Sequence, residues 1–222
     1  MSRFTGFPQD AITFFEEIAI FNAKEWFEEN KARYQENVQQ PAQAFVEALG
    51  ERLTTLAPGI QYITSLNGSG SVMRIYRDVR SSKDKVPYNT QFSAMIGEKK
   101  DHKAVPGYYF QINHEGILGL GGGVYMPEPE TLNKIRHEIL AEPDAVAKLL
   151  KNKRFLATFG GLSEEDRMLR APKGYQHLPA DHPMMDMIKN RHFFSFLEID
   201  MKKHKSKDLA KELAGNFEDL YP

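Results

Sequence analysis

Residues 74–88 read RIYRDVRSSKDKVPY and place five cations, Arg74, Arg77, Arg80, Lys83 and Lys85, within twelve positions. Only Asp78 and Asp84 oppose them, so the stretch 74–85 carries +3 in a chain whose formal total is −1. Cations so collected suit an oxyanion. A guanidinium fork matches phosphate or carboxylate in bidentate geometry, and a lysine in the loop that follows can close over the same group. The remaining residues carry −4, which argues against nucleic acid, because a phosphate backbone selects an extended basic stripe.

As a strand, the segment puts Arg74, Tyr76, Asp78 and Arg80 on one face and Met73, Ile75, Arg77 and Val79 on the other. As a helix it would spread the three arginines over one side and cluster Val72, Ile75 and Val79 opposite. Its shortness, the Gly/Ser turn before it and the proline after it favour the strand. Arg77 then falls between apolar neighbours and needs a carboxylate or carbonyl partner, because an unpaired buried guanidinium is costly. Arg77 and Asp78 are accordingly read as structural ion-pair residues. Arg74, Arg80, Lys83 and Lys85, with Tyr76 beside them, are the ligand candidates. Gly122, in the run Gly119–Gly123, joins them as a backbone cradle if that turn lies nearby.

The elements that must position these residues are legible in outline. Residues 8–57 read as helices: Ala11, Phe14, Ile18 and Phe21 form one stripe, Asn22 with Glu25 resembles a capping box, and Phe45, Leu49, Leu53 and Leu56 line a third helix starting near Pro41. Asn30 falls inside the stripe Ala23, Trp26, Phe27 and Tyr34, and the expectation is that Asn30 and Trp26 pack against the basic segment. Residues 70–126 are sheet-rich: VMRIYRDV, TQFSAMI, GYYFQIN and GILGLGGGVYM are short, aromatic and β-branched, and NHEG marks a hairpin. From 128 to 221 helices return, with a late strand at HFFSFLEIDM and a closing stripe of Leu209, Leu213, Phe217 and Leu220. Helices, then strands, then helices predict an α+β fold in one domain, an antiparallel sheet covered by N-terminal and C-terminal helices.

Composition excludes several chemistries. The chain has no cysteine, so disulfides, thiolate metal sites and cysteine nucleophiles are absent. No apolar run reaches signal-peptide or membrane-span length, and a soluble cytoplasmic protein is expected. The run GLGGG lacks the spacing of a dinucleotide loop. His177, Asp181 and His182 lie in a proline-punctuated segment without helical ligand spacing, so no metal or other cofactor is expected; Asp181 reads instead as a helix cap before Pro183. His114, at a strand end, is a candidate general base. The second basic run, KKHKSKD at 202–208, reads as a solvated connection.

KEWFEENKARYQENVQQP, RIYRDVRSSKDKVPY, PGYYFQI, GGGVYMPEPETLNKIR and APKGYQHLPADHP occur in that order. Together they resemble the bacterial and fungal family known as domain of unknown function 2461, over nearly the whole chain. The resemblance implies a single domain and no assigned activity, cofactor or catalytic residue. Ser81 stands where the family pattern leads one to expect an aromatic, and Asn89 where it leads one to expect lysine. The functional expectation is therefore a pocket for an anionic small molecule bearing phosphate or carboxylate. A protein- or nucleic-acid-binding surface, or arginines that only hold the fold, are the alternatives. Whether there is a reaction, and the oligomeric state, stay open.

Overall fold

The computed structural model describes residues 3–66, 70–80, 82–97, 106–200 and 207–220. The fold is α+β, built on one four-stranded antiparallel sheet. Strands β1 (Gln91–Gly97), β2 (Gly107–Asn113), β3 (Ile117–Val124) and β4 (Phe193–Asp200) are neighbours in chain order. Helices α4 (Pro129–Ala141), α5 (Pro143–Leu150), α6 (Lys153–Phe159) and α7 (Met185–Lys189) all fall between β3 and β4. The registers Phe92↔Ile112, Phe110↔Leu120 and Leu120↔Leu197 put alternate apolar residues on one face. Helices α1 (Gln9–Ile20), α3 (Gln40–Leu56) and α8 (Leu209–Glu218) bury their apolar stripes in the same core, where Phe14, Phe45, Phe110, Leu120, Leu213 and Phe217 are fully enclosed. A smaller cluster around Ile139, Tyr175, Met184 and Ile188 joins α4 to α7.

Several expectations are corrected. No break separates the second helix from the third. Helix α2 (Lys24–Tyr34) runs through a π-helical turn, Gln35–Gln39, directly into α3. Pro41 has no N–H to donate and its ring crowds the carbonyl four residues back, and the wider π turn in front of it admits the ring without breaking the helix. Asn22 caps no helix, since α2 starts after Ala23 with no side-chain cap. Among the described residues the stretch 72–80 joins no regular ladder and is tied down by the single pairs Val72↔Ala94 and Tyr76↔Tyr88 and the backbone bonds around them. Its alternation slips at Met73, which is 44% exposed although the strand reading turned it inward. Helix α6 was not anticipated.

The outer edge of β1 is not left bare. Met73 N–H donates to Ser93 O at 2.9 Å, Met95 N–H to Ser71 O at 2.8 Å, and Gln61 and Gly97 exchange bonds of 3.2 Å. An unpaired sheet edge is thereby satisfied, and the basic segment starts from a fixed point.

Candidate functional site

Beyond Met73 the chain leaves β1 and doubles back. Arg77 N–H donates to Pro87 O at 2.8 Å and Asn89 N–H to Ile75 O at 2.7 Å, so residues 78–86 form a loop closed at its base. Asn22 holds that base from the helical side. Its Nδ2 donates to Tyr88 O at 2.9 Å while Tyr88 N–H donates to its Oδ1 at 3.0 Å. Phe27 lies against the Tyr88 ring with centroids 4.4 Å apart, and Tyr76 meets both rings. The residue that docks the segment is thus Phe27. Asn30 donates instead to the carbonyl of Trp26 in its own helix, and Trp26 packs on Phe14 and Phe21.

The five cations divide sharply. Arg77 is partly buried and pairs with Asp84 at 3.0 Å, with the carbonyl of Val86 at 3.4 Å. Asp78 takes Arg80 instead, through a fork of hydrogen bonds of 2.5 to 3.2 Å. Arg77 and Asp78 are therefore both ion-paired, but not to each other. Hydrogen bonds from Arg80 and Arg77 hold the Asp78 and Asp84 carboxyls below the usual range. Lys85 Nζ donates to Val79 O at 2.8 Å. Arg74 and Lys83 are exposed, and neither makes a side-chain hydrogen bond or salt bridge among the described residues.

Arg74, Ile75 and Tyr76 form one wall of a small cleft of about 90 Å³ whose other wall is Phe27, Lys31, Tyr34, Gln35 and Gln39. The π turn supplies the two carboxamides. Lys31 forms a salt bridge with Glu28 at 3.3 Å, and the Tyr34 phenol is pushed well above the ordinary tyrosine range, first by burial and then by the Tyr76 hydroxyl. Asn89 donates to Arg74 O at 3.3 Å, so the residue that replaces the expected lysine steadies the arginine's backbone. Cations, phenols and carboxamides facing one concavity can hold an oxyanion by charge and by donated hydrogen bonds. Arg80 does not line this cleft, and neither do Lys83 and Lys85. Lys31, Tyr34, Gln35 and Gln39 had been missed, although positions 31, 35 and 39 stand at helical spacing and form a polar stripe.

Gly122 is not part of this cleft. It pairs with Tyr108, which pairs with Ile96, and so sits at the Gly97 end of the sheet; the basic loop continues from the opposite end, near Gln91. Close approach does explain the run: a Cβ on Gly119 would lie 2.3 Å from Phe196 Cζ, and Gly123 has φ +127. The family model described as "Conserved hypothetical protein (DUF2461)" matches residues 10–222. The chain belongs to that family. It matches no curated protein and no solved structure.

In this family member the remaining sequence candidates that are described lie away from the cleft. His182 Nδ1 accepts from Met184 N–H at 3.2 Å, the turn before α7 that Asp181 was expected to cap. No group of three or more metal-ligating side chains occurs among the described residues. His114 lies in the β2–β3 turn, at the far end of β3 from the glycines, with its Nδ1 buried and unpartnered. Residues 202–206 of the second basic run lie outside the described residues. Among the described residues, no helix is long and apolar enough to cross a membrane.

Proposed function

We propose that the protein recognises an anionic group, phosphate or carboxylate, in the cleft between α2, the π turn and residues 74–76. One observation carries the reading: among the described residues Arg74 has no carboxylate within salt-bridge distance, whereas Arg77 and Arg80 each have one, and Asp78, already held by Arg80, acts on Arg74 only through space. A guanidinium left free beside a second cation, Lys31, and two phenols is arranged for a ligand rather than for the fold. The cleft's 90 Å³ is far below the roughly 300–1,000 Å³ of sites that enclose a whole small molecule. The anionic group is therefore the head of a ligand whose remainder lies over the exposed Tyr76. Of the earlier candidates, Arg74 and Tyr76 keep a direct role; Arg80 and Lys85 are occupied, and Gly122 is elsewhere.

A thermal-shift screen at low salt tests this, using inorganic phosphate, phosphate monoesters, dicarboxylates and short oligonucleotides. Monoesters or dicarboxylates should raise the melting temperature; at about 100 times the dissociation constant the stabilisation is about 2.7 kcal/mol. Arg74→Ala should remove the shift with its own melting temperature little changed. A shift from oligonucleotides alone would contradict the reading.

A further inference from the structure

A second concavity lies between the two hydrophobic clusters, at the sheet end opposite the basic loop. It measures about 470 Å³, within the range of small-molecule sites. From the main core Tyr108, Gly122 and Phe155 line it; from the other side come Ile135, Val146 and Phe193. Its lining is mostly apolar; among the lining residues Tyr108, Ser195 and Asp219 carry side-chain oxygens. The Ser195 hydroxyl is already committed, donating to Gly161 O at 2.8 Å. Asp219 Oδ2 accepts from Thr158 Oγ1 at 2.6 Å. Its Oδ1 is buried and accepts no hydrogen bond; Arg154 Nε stands 2.8 Å away but is not aligned to donate.

Two features make this space a site rather than a packing fault. The inward-facing series of β3 runs Leu118, Leu120, Gly122, Val124, so the side chain is missing where the cavity needs its floor. A Cβ at Gly122 would come within 3.0 Å of Leu220 Cδ1 and 3.1 Å of Gly107 O. Helix α5 is the second feature. Val146, Leu149 and Leu150 all line the cavity, yet the helix has no buried residue, and Leu149 is 47% exposed. An amphipathic helix ordinarily buries its apolar stripe against a core. Here the stripe faces the cavity. Apolar walls give water few partners, so this open concavity leaves apolar surface in contact with water that a ligand would cover.

We infer that this cavity binds a neutral, largely hydrocarbon small molecule with one hydrogen-bond-donating end, a hydroxyl or an amine. The body lies between Gly122 and the α5 stripe, and the donor end meets Asp219 Oδ1. A charged head group would lose its hydration among these apolar walls, so a neutral one is favoured. Ligand binding buries Val146, Leu149 and Leu150, so α5 serves as the wall that closes on the ligand.

Titration with N-phenyl-1-naphthylamine, a neutral probe with one N–H, tests this by fluorescence. The expected result is saturable one-to-one binding, displaced by dodecanol at least tenfold more effectively than by laurate. Val146→Trp, which fills the cavity, and Leu149→Glu, at a half-exposed position where folding is not at stake, should each weaken binding at least tenfold. Arg74→Ala should leave it unchanged, so this site and the anion cleft can fail separately. Should Val146→Trp not fold, methyl NMR on the unaltered protein decides, with probe-induced shifts expected at Ile135, Val146, Leu149 and Leu150. Non-saturable binding, equal affinity in Leu149→Glu, or shifts confined to other methyls would overturn the inference. So would a dimer by light scattering that Leu149→Glu dissociates, since the α5 wall would then be an interface between copies.

Discussion

At the residue scale, what separates Arg74 from its neighbours is the partner each finds. Types and spacing showed that Arg77 needed a counter-charge, and it has one, but Asp84 lies seven positions on, across a turn that sequence does not close. Asn22 shows the same limit. Its carboxamide looked like a cap and serves instead as a two-bond clamp on a backbone 66 residues away. Asn22→Ala leaves both Tyr88 backbone groups without that partner, and the expected loss is about 1–3 kcal/mol. Chemical denaturation would measure it. A further prediction concerns Asp10, which takes a bidentate pair from Arg33 at 2.6 and 2.7 Å. The hydrogen bond from Arg33 lowers its pKa, against the opposite pull of burial. A carboxyl lowered in the folded state binds its proton more readily when unfolded. Its contribution is therefore complete above the ordinary aspartate value of about 3.9 and is lost as pH falls from there through the folded value. Unfolding free energy followed downward from pH 5 should drop more steeply for the unaltered protein than for Asp10→Asn.

At the element scale, periodicity was a good guide where one face is buried. The stripes of α1, α3 and α8, the four strands and the Asn113–Gly116 turn follow from spacing and turn chemistry alone. It failed where geometry departs from the ideal period. The π turn keeps helical dihedrals but shifts the bonding by one residue, and nothing in Gln35–Gln39 marks that in advance. The slip at Met73 has a comparable origin, since the chain there changes partner from β1 to residues 87–89. Helix α6 could have been found: Asn152 accepts from the backbone of Arg154 and Phe155, and Gly160 closes the helix in the left-handed conformation. Asn152→Ala should cost about 1 kcal/mol, and Asn152→Asp should retain most of the cap. Melting curves of the two variants check this, with equal losses in both excluding a capping role.

At the scale of the whole molecule, a nearly neutral chain gathers five of its 29 lysines and arginines into residues 74–85. The loop holds Arg77, Arg80 and Lys85 with its own carboxylates and carbonyls, and among the described residues Arg74 and Lys83 make no such contact. The helical layer and the sheet edge meet at the cleft, whose components come from 27–39 and 74–76, and no local reading of either stretch could join them. The cations were visible in the sequence. Which of them is free was not, because freedom here is defined by carboxylates that the loop's own closure brings into range.

The most direct test is an NMR titration with inorganic phosphate and phenyl phosphate at low salt, run on the unaltered protein, Arg74→Ala and Arg80→Ala. The account predicts saturable shifts at Lys31, Gln35, Gln39 and Tyr76, weakened at least tenfold by Arg74→Ala and by less than twofold by Arg80→Ala. Equal weakening by both substitutions, or shifts spread along 78–86 with none at Gln35 and Gln39, would contradict it.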